Sequence, residues 1–135
     1  MTWLSGAVWA PEQVASIFGE YMQPGNLLAG ADPPPEGERF ETLLQHKNLV
    51  IERIVSSAAI TPSEYVQPQD EWVVLLQGTA DLKVNGEPVS LKSGDYLFLP
   101  AGLPHTVKRV SQGALWLAVH LHGESDERRG QQGHP

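Results

Sequence analysis

A chain of 135 residues with 16 acidic and 9 basic side chains carries a net charge of −7, and 41% of it is hydrophobic. That size and apolar content suit one folded domain with a real core and exclude wholesale disorder. The acidic balance argues against nucleic-acid and anionic-membrane partners, which select basic surfaces. The chain has no cysteine, so disulfides and thiolate chemistry are excluded, and a reducing cytoplasm is the expected location. No apolar run approaches the ~20 residues that a membrane helix needs, and no Lys or Arg precedes a hydrophobic run in the manner of a secretory signal.

The first ten residues are small and apolar and include Trp3 and Trp9, which are expected to dock on the domain surface or on a second copy of the chain. Pro11 to Phe18 reads as a short helix. Pro suits its first position, Glu12 suits its positive end, and Val14, Ile17 and Phe18 form one apolar face. Asp32-Pro33-Pro34-Pro35-Glu36-Gly37 is an extended linker. Up to Gln45, Arg39 stands alone against Glu12, Glu20, Asp32, Glu36, Glu38 and Glu41, the pattern of a solvated acidic arm.

From Arg39 the texture becomes strand-like. Phe40 to Leu44 and Leu49 to Val55 are short and rich in branched residues, with His46-Lys47-Asn48 as the turn between them. Thr61 to Gln69 carries Pro62 and Pro68 and reads as a loop or irregular edge. Trp72 to Gln77 is a strong strand. Ala80 to Val84 and Glu87 to Leu91 flank Asn85-Gly86, a two-residue hairpin signal that requires positive φ at both positions. Tyr96 to Leu99, Thr106 to Val110 and Leu115 to Leu121 complete the set, and the polar tail from Gly123 should fray. Many short strands with Gly and Pro turns and no alternating helices predict an all-β antiparallel sandwich or barrel.

Gly94, Pro100, Gly102 and His105 stand at the spacing Gly, five residues, Pro, one residue, Gly, two residues, His. Glu71 and Gly78 stand at the spacing Glu, six residues, Gly. In these residues the chain resembles the cupins over about residues 39 to 122. The resemblance implies a double-stranded β-helix, the cupin jelly-roll barrel, spanning 39–122. An N-terminal arm and Pro-rich linker at 1–38 would precede it, and a flexible tail at 123–135 would follow. In metal-binding cupins two histidines precede the motif glutamate; here Tyr65 and Gln67, or Glu64 and Val66, take their places. Arg109 replaces the asparagine of the second motif. Two of the four ligands that the resemblance implies, Glu71 and His105, are therefore present.

In a strand alternate residues share a face. If Glu71 points into the barrel, so do Val73 and Leu75, while Trp72, Val74 and Leu76 point out. A carboxylate buried among such residues needs a partner: a cation, His105 or an arginine. On the same alternation His105, Val107 and Arg109 share a face, and an inward Arg109 would supply a fixed positive charge and a donor fork. Arg53, between Ile51 and Val55, also needs a carboxylate, for which Glu71 is a candidate.

Three roles are open to Glu71 and His105. They hold a divalent metal (Zn, Fe, Mn or Ni) with help from Tyr65 or Gln67; or they join Tyr65, Gln67, Arg109 and Arg53 in binding a small polar or anionic molecule; or they satisfy each other inside a structural module. The second is the expectation carried forward. Its alternative is a metal-dependent enzyme of the isomerase or oxygenase kind. His120 and His122 are expected on an outward strand face. A homodimer is expected from Trp3, Trp9 and the outward Trp72-Val74-Leu76 face, and from the pairing of small cupins that the resemblance implies.

Overall fold

The protein is described from a computed structural model, which covers residues 23–123. The expected N-terminal helix, Trp3, Trp9 and the C-terminal tail lie outside those residues. The regular structure among the described residues is all strand: β1 (Glu38–His46), β2 (Leu49–Ser56), β3 (Glu64–Tyr65), β4 (Asp70–Gln77), β5 (Thr79–Val84), β6 (Glu87–Lys92), β7 (Tyr96–Leu99), β8 (His105–Val110) and β9 (Ala114–Leu121). Eight of these correspond to the expected strands; the two-residue β3 falls in the stretch expected to be irregular.

The strands form two antiparallel sheets, one of order β1-β2-β9-β4-β7 and one of order β3-β8-β5-β6. This is the jelly-roll barrel. Asn85 and Gly86 turn between β5 and β6 with φ of 49° and 85°, as the hairpin signal requires. The core lies between the sheets, where Val73, Leu75, Ala80, Leu82, Leu91, Leu99, Val110, Ala114, Trp116 and Ala118 are buried. Each fully buried Val, Leu or aromatic side chain contributes about 1.5–3 kcal/mol relative to exposure.

Alternation along β4 runs as the sequence predicts: Glu71, Val73 and Leu75 are buried, and Trp72 is exposed on the opposite face. Two β-bulges break the alternation elsewhere. In β8, Val107 pairs with Leu82 but Arg109 pairs with Asp81, which leaves Lys108 as an extra residue. A bulge of this kind inverts the facing of everything beyond it, so Val110 and not Arg109 turns inward. In β1, the register shifts between Thr42 and Leu44, and Glu41 stands opposite Arg53.

Gly78 closes the β4–β5 connection at a φ of +102°, and a Cβ there would lie 2.6 Å from Ser111 Oγ and 3.1 Å from the Ala114 backbone. Gly102 also has positive φ, but a Cβ there meets nothing within 4 Å. Gly78→Ala is therefore expected to destabilise the protein by roughly 2–4 kcal/mol, the sum of strain and overpacking, and Gly102→Ala by less. Urea unfolding of the two variants checks this, and equal losses contradict it.

Candidate functional site

Between the sheets, the barrel opens on a cavity of about 120 Å³ lined by Glu38, Phe40, Glu52, Ile54, Tyr65, Gln67, Glu71, Val73, Leu82, Leu99, His105, Val107, Trp116 and His120. Four of the expected site residues, Tyr65, Gln67, Glu71 and His105, meet there. Their positions follow from local chemistry. The turn Pro100 to Pro104 is tied down at three points: Gly102 N–H donates to Gln67 O, Ala101 N–H donates to Asp70 Oδ1, and Asn85 N–H donates to Pro104 O. That clamp delivers His105 to the start of β8, paired with Tyr65. The two rings stack with centroids 5.9 Å apart.

His105 Nδ1 lies 3.1 Å from Leu103 O. A carbonyl only accepts, so Nδ1 carries a proton, which in the neutral ring leaves Nε2 as an acceptor. Gln67 donates its amide to Glu71 Oε1 at 3.0 Å. Glu71 and His105 each retain only 7% of their surface. They do not pair with each other in any hydrogen bond or ion pair among the described residues.

Two expected site residues are elsewhere. Arg109 is turned outward by the bulge in β8; its side chain is 78% exposed and bonds Asp81 at 3.2 Å. For that reason it does not supply the fixed positive charge expected at the mouth. Arg53 faces the outer side of its sheet, where it pairs with Glu41 at 2.7 Å and donates to the carbonyls of Leu27 and Ala29. Its bonds hold Glu41 below the usual carboxylate range. Arg53 therefore anchors the segment before β1 and does not partner Glu71.

His120, expected on an outward face, points inward. It pairs with Glu71 across β4 and with Val50 across β2, and it is buried. Its Nε2–H donates to Glu52 Oε1 at 2.9 Å, and the Gln69 amide lies 3.3 Å from Nδ1. Glu52 itself is not a candidate from the sequence. Glu38 completes the acidic lining: Trp116 Nε1–H donates to Ser56 Oγ at 3.1 Å, and Ser56 donates to Glu38 Oε2 at 2.6 Å. The signal that could have exposed Glu52 and His120 is cross-strand pairing, because Glu52, Ala118 and Val73 occupy one row and Val50, His120 and Glu71 the next.

The residues do not suit a resident divalent ion. Tyr65 and Gln67 stand where the resemblance places histidines, and Glu71 Oε1 is already engaged by Gln67. Among the described residues no group of three or more His, Cys, Asp or Glu takes metal-binding geometry. Glu71 and His105 remain two donors, fewer than the ligand sets that bind transition metals firmly.

In comparison with known families, residues 51–120 match the Cupin domain. The chain belongs to the cupins. Among solved structures, this cupin is similar to a protein from Ralstonia eutropha JMP134 provisionally named a mannose-6-phosphate isomerase. The two are 35% identical over 75% of this chain and 99% of that one, with a TM-score of 0.66. A protein from Thermus thermophilus is 25% identical over 75% of this chain and 98% of that one, with a TM-score of 0.65. A cupin superfamily protein from Desulfitobacterium hafniense shares the fold at 21% identity, with a TM-score of 0.62 over 75% of this chain and 93% of that one. No curated protein sequence matches the chain.

The Glu52 hydrogen bond raises the His120 pKa above its ordinary 6.5; burial opposes the rise, and the negative charges of Glu71 and Glu52 add to it. A folded-state pKa above the unfolded one means stabilisation that is complete below about 6.5 and lost as pH rises through the folded value. The melting temperature is therefore expected to fall as pH rises above about 6.5, and Glu52→Gln should flatten that dependence. An NMR titration placing the His120 midpoint at or below its ordinary value contradicts the assignment.

Proposed function

We propose that this cupin binds a small molecule in the mouth of its barrel. The observation that carries the proposal is a cavity walled by Phe40, Tyr65 and Trp116, into which two polar side chains, Glu71 and His105, are nine-tenths buried without bonding each other. Apolar walls with a few convergent polar groups are the usual form of a small-molecule site. The anionic half of the sequence expectation loses its support, because neither Arg109 nor Arg53 lines the cavity. The proposed ligand is polar and either neutral or cationic.

The name of the Ralstonia neighbour favours a second reading, an isomerase acting on a sugar phosphate. Recognition of a phosphate calls for Arg, Lys or a cluster of backbone N–H groups, and among the described residues neither Lys nor Arg lines this cavity. A binding role therefore accounts for the lining better. The outward Trp72, Tyr96 and Phe98 form an exposed aromatic strip, with Trp72 and Tyr96 rings 5.5 Å apart. That strip supports the expected homodimer. A cytoplasmic location rests on the cysteine-free sequence.

A thermal-shift screen of polar metabolites tests the binding role. A true ligand at about 100 times its Kd adds about 2.7 kcal/mol of stability and should raise the melting temperature of wild type but much less that of Glu71→Gln and His105→Gln. Equal shifts in wild type and both variants, or no shift with any compound, contradict the proposal. Chelator is expected to leave the melting curve unchanged, and added Zn, Mn or Ni to leave it within a degree or so; a large metal-dependent rise overturns the exclusion of a resident ion.

A further inference from the structure

We propose that the ligand class of this mouth is a small organic cation, bound through an ammonium head group. The inference rests on the small-molecule reading above and narrows it. Its basis is the sign of the lining. Glu38, Glu52 and Glu71 face the cavity, and among the described residues no Lys or Arg does. The two arginines nearest in sequence logic are held elsewhere by acids of their own, Arg53 by Glu41 and Arg109 by Asp81. His120, when protonated, offsets one carboxylate and leaves the mouth negative.

The carboxylates are not equally served. Glu38 accepts from Ser56 and Glu52 accepts from His120. Glu71 is the most enclosed part of the set, with 7% of its surface left, and it receives only the uncharged amide of Gln67 on Oε1. No ion pair among the described residues includes it. His120 stands beside Glu71 across the β4–β9 ladder and, when protonated, offsets part of its charge, but the second Glu71 oxygen takes no hydrogen bond among the described residues and is open to a cation entering the cavity.

The remaining chemistry agrees. His105 offers an acceptor at Nε2, because its Nδ1–H is committed to Leu103 O. The pocket is thus rich in acceptors, and its Trp116 and His120 N–H groups are already committed to Ser56 and Glu52. Phe40, Tyr65 and Trp116 line the cavity, and aromatic rings attract alkylammonium ions. The cavity of about 120 Å³ is well above the ~10–15 Å³ that a single water needs. That is room for a compact head group, with the tail leaving past Phe40 and Tyr65, which are exposed at the rim. A neutral sugar could use the same acceptors but would leave the excess of carboxylates over cationic groups in the lining unanswered.

Calorimetric and NMR titrations at mildly alkaline pH and low ionic strength test the proposal with four probes: ethylammonium, tetramethylammonium, mannose and mannose 6-phosphate. Both ammonium ions are expected to saturate one site, with NMR shifts at Tyr65, His105 and Trp116. Glu71→Gln should weaken both at least tenfold, whereas Arg109→Ala should change them less than twofold. Tyr65→Ala should weaken tetramethylammonium more than ethylammonium, and it serves as the independent variant if Glu71→Gln misfolds. Saturable binding of mannose or mannose 6-phosphate with none of either ammonium ion overturns the cation class and leaves the small-molecule reading standing. Binding of no probe overturns the cation class, and a blank metabolite screen would then remove the broader reading as well.

Discussion

β9 hydrogen-bonds to β2 on one side and to β4 on the other, and the registers of those two ladders put Glu52, Glu71 and His120 on the same face. That face looks into the barrel. A slip of one residue in either ladder would send one partner to the outer wall. The buried Glu52–His120 bond and the buried Glu71 are therefore consequences of strand pairing, and the chemistry of the mouth depends on it. The Trp116–Ser56–Glu38 chain extends the same pattern to the edge of the sheet.

The opposite sheet contributes through an interruption. Lys108, the extra residue of β8, keeps His105 and Val107 facing inward while turning Arg109 out to Asp81. On the other sheet, the register of β1 against β2 sets Glu41 opposite Arg53 on the outer face. Together these pairings keep both candidate guanidinium groups out of the interior. The interior is left with carboxylates, imidazoles and aromatic walls, which sets the sign of any charge it can accept.

Much of this was legible in the residues. Gly94, Pro100, Gly102 and His105 give the turn that aims His105, and the alternation from Glu71 to Leu75 gives the inward face of β4. The Asn85-Gly86 hairpin follows from its φ requirement. What was not legible has a physical cause in each case. Ile51, Arg53 and Val55 alternate with Val50, Glu52 and Ile54, so β2 shows two apolar faces with one charge on each. In β9, Leu115, Leu117, Val119 and Leu121 alternate with Trp116, Ala118 and His120, and hydrophobicity does not choose between those faces either. Only pairing with β4 breaks the tie. The bulge at Lys108 has no glycine or other local signal, so strict alternation misplaces Arg109.

The family resemblance carries the shape of the barrel, and the lining departs from the metal-binding pattern at Tyr65 and Gln67. The central claim is that this mouth is a negatively charged cavity centred on Glu71, with no Lys or Arg of the described residues in its lining. Anomalous diffraction from crystals soaked in caesium bromide tests it most directly, since both ions scatter anomalously. The account predicts a caesium peak in the cavity against the Glu71 carboxylate and no bromide there. A bromide peak between Glu71 and His105 would contradict it.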